Sequence, residues 1–134
     1  MRVHFILYVR DQAAATAFYA RVLDVSPSLD VPGMTEINLG GATLGLMPER
    51  GIAKLLDGAI DPSASSVPRA EVYLVVADPE SLMRRALAAG GRELSPIAPR
   101  DWGHRAGYVL DPDGHVVAFA SAISYSSASK GEGP

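Results

Sequence analysis

At 134 residues, with 48% hydrophobic and 20% charged side chains, the chain has the make-up of one globular domain, large enough to bury about two thirds of its unfolded surface. It has no cysteine, which removes disulfides, thiolate metal ligands and cysteine nucleophiles, so a metal would fall to His, Asp or Glu. The formal charge is -3 and the 12 Lys and Arg are scattered, which excludes the basic stripe of a nucleic-acid binder and makes a small molecule the expected partner. Apolar runs such as FILYV are too short to cross a bilayer, and no basic segment followed by an apolar core opens the chain, so no membrane partner is expected and a cytoplasmic location is.

HFILYVRD (4–11) is a strand pattern closed by Asp11. QAAATAFYARVL (12–23) brings Ala14, Phe18 and Val22 to one helical face with Ala15, Tyr19 and Leu23 beside them. MTEINLGGATLGLM (34–47) reads as a hairpin turning at Gly40-Gly41. Residues 49–69 hold a short helical turn, IAKLL, and then a Pro/Ser/Asp-rich linker. EVYLVVAD (71–78) repeats the opening layout 67 residues later. There Asp78 suits an N-cap, Pro79 the first helical turn, and Leu82, Met83, Ala86 and Leu87 form an apolar stripe that Gly90-Gly91 ends. AGYVLDPDGHVVAFA (106–120) is a second hairpin, turning at DPDG, and residues 124–134 lack apolar periodicity. The sequence thus predicts one α+β domain over 1–123, built from two strand–helix–strands modules (3–48 and 70–121) around the linker 49–69, with an unstructured tail at 124–134.

Strand alternation assigns two faces. Phe5, Leu7, Val9, Ile37, Leu39, Leu44, Leu46, Val72, Leu74, Val76, Val117 and Phe119 form an apolar face for the helices to cover. His4, Ile6, Tyr8, Glu36, Asn38, Gly45, Met47, Glu71, Tyr73, Tyr108, Ala118 and Ala120 share the other. That mixture of aromatic, polar and very small residues suits a ligand cavity if the sheets curve into a cup.

These features resemble the vicinal-oxygen-chelate superfamily of glyoxalase I, bleomycin-resistance proteins and extradiol dioxygenases. The resemblance rests on HFILYVRD running into AFYARVLDV, on GGATLGLM, on Trp102-Gly103 and on DPDGHVVAF, and it spans residues 3 to 121. It implies two βαβββ modules forming a cupped mixed sheet with helices on the outer face, usually in a homodimer, with the ligand in the cup. The metal-dependent members ligate from the first and last strand of each module. Here the first-strand positions match His4 and Glu71, whereas the last-strand positions fall on Gly45 and Ala118, which have no ligating atoms. Asp24 stands where relatives commonly place Gly after the first helix.

His4 and Glu71 therefore read either as an acid/base pair able to move a proton on an enolisable substrate or as an ion pair anchoring the cup floor. Trp102 reads as a ligand-stacking ring at the rim or as a loop anchor, and Tyr8, Met47, Tyr73, Tyr108, Ala118 and Ala120 as the ligand wall. No cofactor is expected. The alternative is a divalent metal held by His4 and Glu71 with Glu36, Glu49 or His104, in a lactoylglutathione-lyase-like lyase, an isomerase or a dioxygenase. His115 reads as a surface turn residue. GGATLG does not fit a dinucleotide fingerprint and the serines lie in no nucleophile elbow. The expected function is small-molecule binding of an apolar or aromatic ligand.

Overall fold

The computed structural model describes residues 1–63 and 67–123, so the tail expected at 124–134 lies outside the described residues. The chain divides into two compact units, Met1–Pro68 and Arg69–Pro134. Each holds a four-stranded mixed sheet.

In the first unit the elements run β1 (His4–Val9), α1 (Gln12–Leu23), β2 (Leu29–Val31), β3 (Met34–Asn38), β4 (Thr43–Pro48) and α2 (Glu49–Leu55). The sheet order is β1-β4-β3-β2, with β1 parallel to β4 and the other pairs antiparallel. α1 starts where Asp11 accepts a hydrogen bond from the Ala14 amide at 3.0 Å, and it stops at Asp24 in the left-handed region, φ 56° and ψ 47°. Asp adopts that conformation at a modest cost that Gly avoids, and the fold proceeds unchanged. Ala15, Phe18, Tyr19 and Val22 bury against the sheet face of Leu7, Val9, Ile37, Leu44 and Leu46. Phe5 departs from the expectation: it is 40% exposed, because β1 is an edge strand with β4 alone beside it.

β2 carries little apolar periodicity, and a polar clamp holds it. Gln12 donates from Nε2 to the Val31 carbonyl (2.8 Å) and the Thr35 hydroxyl (3.0 Å), and its Oε1 accepts from the Gly33 amide (3.0 Å). The buried Thr35 hydroxyl also lies 2.8 Å from that of Thr16. The expected helical turn at IAKLL is a full helix that begins earlier, at Glu49, and buries Ile52.

The second unit repeats the plan with β5 (Glu71–Val75), α3 (Pro79–Ala88), β6 (Arg92–Pro99), β7 (His104–Leu110) and β8 (Val116–Ala122), in the sheet order β5-β8-β7-β6. Asp78 caps α3 through the Ser81 amide at 3.3 Å, with Pro79 in the first turn. The helix closes through Gly91, whose amide reaches the Ala86 carbonyl at 2.8 Å. Arg105 of β7 pairs with Glu80 in the first turn of α3. Register shifts between Glu93 and Ser95 and between Ser95 and Ala98 interrupt the β6 ladder, around a proline that has no amide to donate. Among the described residues no helix is long and apolar enough to cross a membrane.

Gly107 lies where β6, β7 and α3 meet. A Cβ there would stand 2.6 Å from Met83 Cε, 2.6 Å from Ile97 Cγ1 and 3.0 Å from the Ile97 amide nitrogen. Gly107→Ala is therefore expected to destabilise the chain by about 1–3 kcal/mol through overpacking, read as a lower denaturant midpoint in equilibrium unfolding. An unchanged midpoint would contradict this close approach.

Candidate functional site

In the second unit α3 covers the face that contains Gly107, where Met83 makes its close approach. Alternation sends Glu71, Tyr73 and Val75 of β5, Ala118 and Ala120 of β8, and His104, Ala106 and Tyr108 of β7 to the opposite face. The register runs straight across the strands, with Tyr73 beside Ala118 and Ala118 beside Tyr108. Ala106, Ala118 and Ala120 are fully buried, while the tyrosines and His104 are half-buried. The small residues thus form a floor from which the rings rise on either side.

The turn before β7 brings a third ring to this face. The Arg100 amide donates to the His104 carbonyl at 2.8 Å, and Gly103 takes φ 89°, which a side chain would resist. Trp102 emerges from the turn 56% exposed, yet its Nε1 donates to Tyr73 Oη at 2.8 Å. Tyr73 Oη lies 2.7 Å from His104 Nδ1, and the two rings are stacked with centroids 5.7 Å apart. Three aromatic side chains from two distant chain segments are therefore linked by two short hydrogen bonds.

Arg100 completes the arrangement. Its guanidinium donates to the Ala106 carbonyl, from Nε at 3.0 Å and Nη2 at 2.8 Å, and from Nη2 to Ser95 Oγ (2.9 Å) and the Pro96 carbonyl (2.8 Å). It fastens the irregular β6 to β7 and lies 5.4 Å over the Tyr108 ring, a cation–π contact. The sequence offered no pattern for this role, because Arg100 satisfies carbonyls that the β6 irregularities expose. Burial pushes the Tyr108 phenol above its ordinary value, the Glu71 carboxylate and Tyr73 add to the rise, and Arg100 opposes it.

The first-unit residues are arranged otherwise. His4 Nδ1 lies 3.5 Å from Glu36 Oε2, so the carboxylate facing His4 within its own unit is on β3. Glu71 is exposed on β5 in the other unit. Tyr8 and Met47 are register neighbours on β1 and β4, both half-buried. Gly45 offers no open space: a Cβ there would stand 3.0 Å from Ile6 Cγ1 and 3.3 Å from Met34 Sδ. Glu49, named above as an alternative metal ligand, is the first residue of α2.

The metal suggested by the resemblance finds a poor donor set here. A carboxylate at Gly45 would have to displace Ile6 and Met34, Ala118 is fully buried, and no group of three or more His, Asp or Glu able to hold a metal occurs among the described residues. His4 with Glu36 supplies two donors, fewer than a divalent ion needs for tight binding. The residues present do not fit that metal.

The Tyr108 shift has a consequence for stability. A phenol whose value is raised by folding binds its proton more tightly in the folded chain, so its contribution is complete below the unfolded phenol's value and is lost as pH rises through the folded one. Stability is therefore expected to fall across that alkaline window and to fall less in Tyr108→Phe, measured by unfolding at several alkaline pH values alongside phenolate absorbance. Equal losses in both proteins would contradict the assignment.

The Glyoxalase/Bleomycin resistance protein/Dioxygenase superfamily model matches residues 2–119. An uncharacterized protein of Mycobacterium bovis is 28% identical over 124 residues, covering 87% of this chain and 80% of its own length. A glyoxalase/bleomycin resistance protein/dioxygenase family enzyme from Burkholderia phytofirmans PsJN shares the fold with a TM-score of 0.79 at 21% identity, covering 90% of this chain and 97% of that one. A glyoxalase-related enzyme from Fulvimarina pelagi gives a TM-score of 0.74 at 26% identity, covering 90% of this chain and 87% of its own. With two four-stranded mixed sheets and three helices among its described residues, the chain belongs to the Glyoxalase/Bleomycin resistance protein/Dioxygenase superfamily.

Proposed function

We propose that the chain binds a small aromatic molecule at the face of its second sheet opposite α3, between Trp102 and the wall formed by Tyr73 and Tyr108, without a resident divalent metal. The observation that carries this reading is Trp102: a large ring 56% exposed, with its one polar atom already tied to Tyr73 Oη at 2.8 Å. A tryptophan serving only to pack a loop would bury its ring. This one is held in orientation while its faces stay accessible, so a ligand stacking on it loses little further side-chain freedom. Stacking of this kind adds about 0.5–1.5 kcal/mol beyond the area buried. Ala118 would act beneath the ligand by holding Tyr73 and Tyr108 apart, and Arg100 by fixing Tyr108.

The chain contains one tryptophan, so selectively excited tryptophan fluorescence reports this face alone. Titrating a panel of bicyclic aromatics should quench or shift that emission saturably. By calorimetry, Trp102→Ala should weaken the best binder severalfold, and Ala118→Leu, which inserts bulk between Tyr73 and Tyr108, should do likewise. A binder indifferent to both substitutions would refute the site. Stoichiometric, submicromolar binding of a transition metal, abolished in His4→Ala, would overturn the metal-free reading in favour of a metal-dependent enzyme.

We also propose that two copies pair. α2 ends with Leu55 at 64% and Leu56 at 38% exposure, apolar surface available to a second chain. Sedimentation at micromolar concentration should show a dimer, and a lone 14.1 kDa species would contradict it.

A further inference from the structure

We infer that His104 is held as the Nε2–H tautomer and that this outward N–H selects ligands bearing an oxygen acceptor beside their aromatic ring. The inference deepens the proposed aromatic site and rests on it for the ligand's position, whereas the tautomer follows from the hydrogen bonds alone. An indole N–H can only donate. Tyr73 Oη, 2.8 Å from Trp102 Nε1, is therefore an acceptor in that contact. The phenol keeps its own proton to place, and its other close partner is His104 Nδ1 at 2.7 Å. Donation from Tyr73 to Nδ1 gives every atom in the chain a complementary role: Trp102 donates, Tyr73 accepts and donates, and Nδ1 accepts. The reverse polarity would aim two N–H donors at one phenol oxygen and leave the phenolic proton without either of these partners, forfeiting one hydrogen bond.

A neutral imidazole that accepts at Nδ1 carries its proton on Nε2. No described residue partners Nε2, and no buried side-chain nitrogen or oxygen among the described residues lacks a partner. Nε2 of the half-buried His104 therefore reaches solvent. His104 lies on the same face as Tyr108, four residues before it along β7. A carbonyl or carboxylate oxygen on a ring stacked against Trp102 would find there a single oriented donor. The same tautomer explains why His104 is a poor substitute metal ligand, since its accessible nitrogen presents a proton where a metal needs a lone pair.

A long-range proton–nitrogen correlation spectrum of the labelled, ligand-free chain, at a pH where imidazole is neutral, tests the tautomer directly. His104 Nδ1 should resonate as an unprotonated nitrogen and Nε2 as a protonated one, and Tyr73→Phe should erode that preference. The opposite pattern, with Nδ1 protonated, overturns the inference whatever binds. The selectivity is read by comparing acetylnaphthalene with isopropenylnaphthalene, nearly isosteric probes that differ in a carbonyl oxygen against a methylene. The ketone should bind about fivefold more tightly, as one neutral hydrogen bond supplies, and the difference should vanish in His104→Phe, which retains a ring. Equal affinities would overturn the donor role while leaving the aromatic site standing. Failure of both probes to perturb Trp102 would overturn the ligand selectivity together with the proposed site, the tautomer being decided separately by the ligand-free spectrum.

Discussion

One row of register, Tyr73 beside Ala118 beside Tyr108, constrains what the open face of the second sheet can be. Parallel pairing of β5 with β8 and antiparallel pairing of β7 with β8 leave no freedom to slide, because a one-residue slip would turn the apolar residues of β8 away from α3. With that row fixed, a side chain as small as alanine at position 118 separates two phenols, and Tyr73 Oη is placed where the Trp102 indole and the His104 ring both reach it. The orientation of the tryptophan and the direction of the imidazole both follow from that hydroxyl.

The internal repeat shows how much depends on the residues in that row. In the first unit Ile6, 67 residues earlier, occupies the place of Tyr73 and Gly45 the place of Ala118, again as direct register partners. There the aliphatic side chain folds over the glycine, with Ile6 Cγ1 3.0 Å from where a Cβ would be, and Glu36 rather than a tyrosine flanks the other side. The same strand plan thus yields a filled apolar patch next to a His4–Glu36 contact in one unit and an aromatic platform in the other. Gly45 and Ala118 offer no ligating side-chain atom on the last strands, and different side chains occupy the surroundings of each.

Much of this was legible in the sequence. The Asp78-capped helix, the hairpins at Gly40-Gly41 and DPDG, and the left-handed stop at Asp24 follow from local chemistry that acts within a few residues. Alternation placed Tyr73, Tyr108, Ala118 and Ala120 on one face because that period is a property of the strand itself. Harder to read were features set by partners distant along the chain. β2 depends on a side chain of α1, Phe5 is exposed because β1 is an edge, and β6 is irregular in a way that only Arg100 repairs. The Trp102–Tyr73–His104 chain joins residues about thirty positions apart, and no spacing in the sequence announces it. His104 read as a spare metal ligand because its sequence neighbours give no hint of the phenol that takes up its Nδ1.

The account stands on the second sheet's open face being where a ligand sits. Backbone amide shift mapping during titration with acetylnaphthalene measures this most directly. The account predicts saturable shifts concentrated at Tyr73, at the turn from Arg100 to His104 and at Tyr108, with the indole N–H of Trp102 among the largest. Shifts confined instead to the groove of about 860 Å³ beside Gln12, Thr16 and Arg50, or to the cleft beside His4 and Glu36, would contradict it.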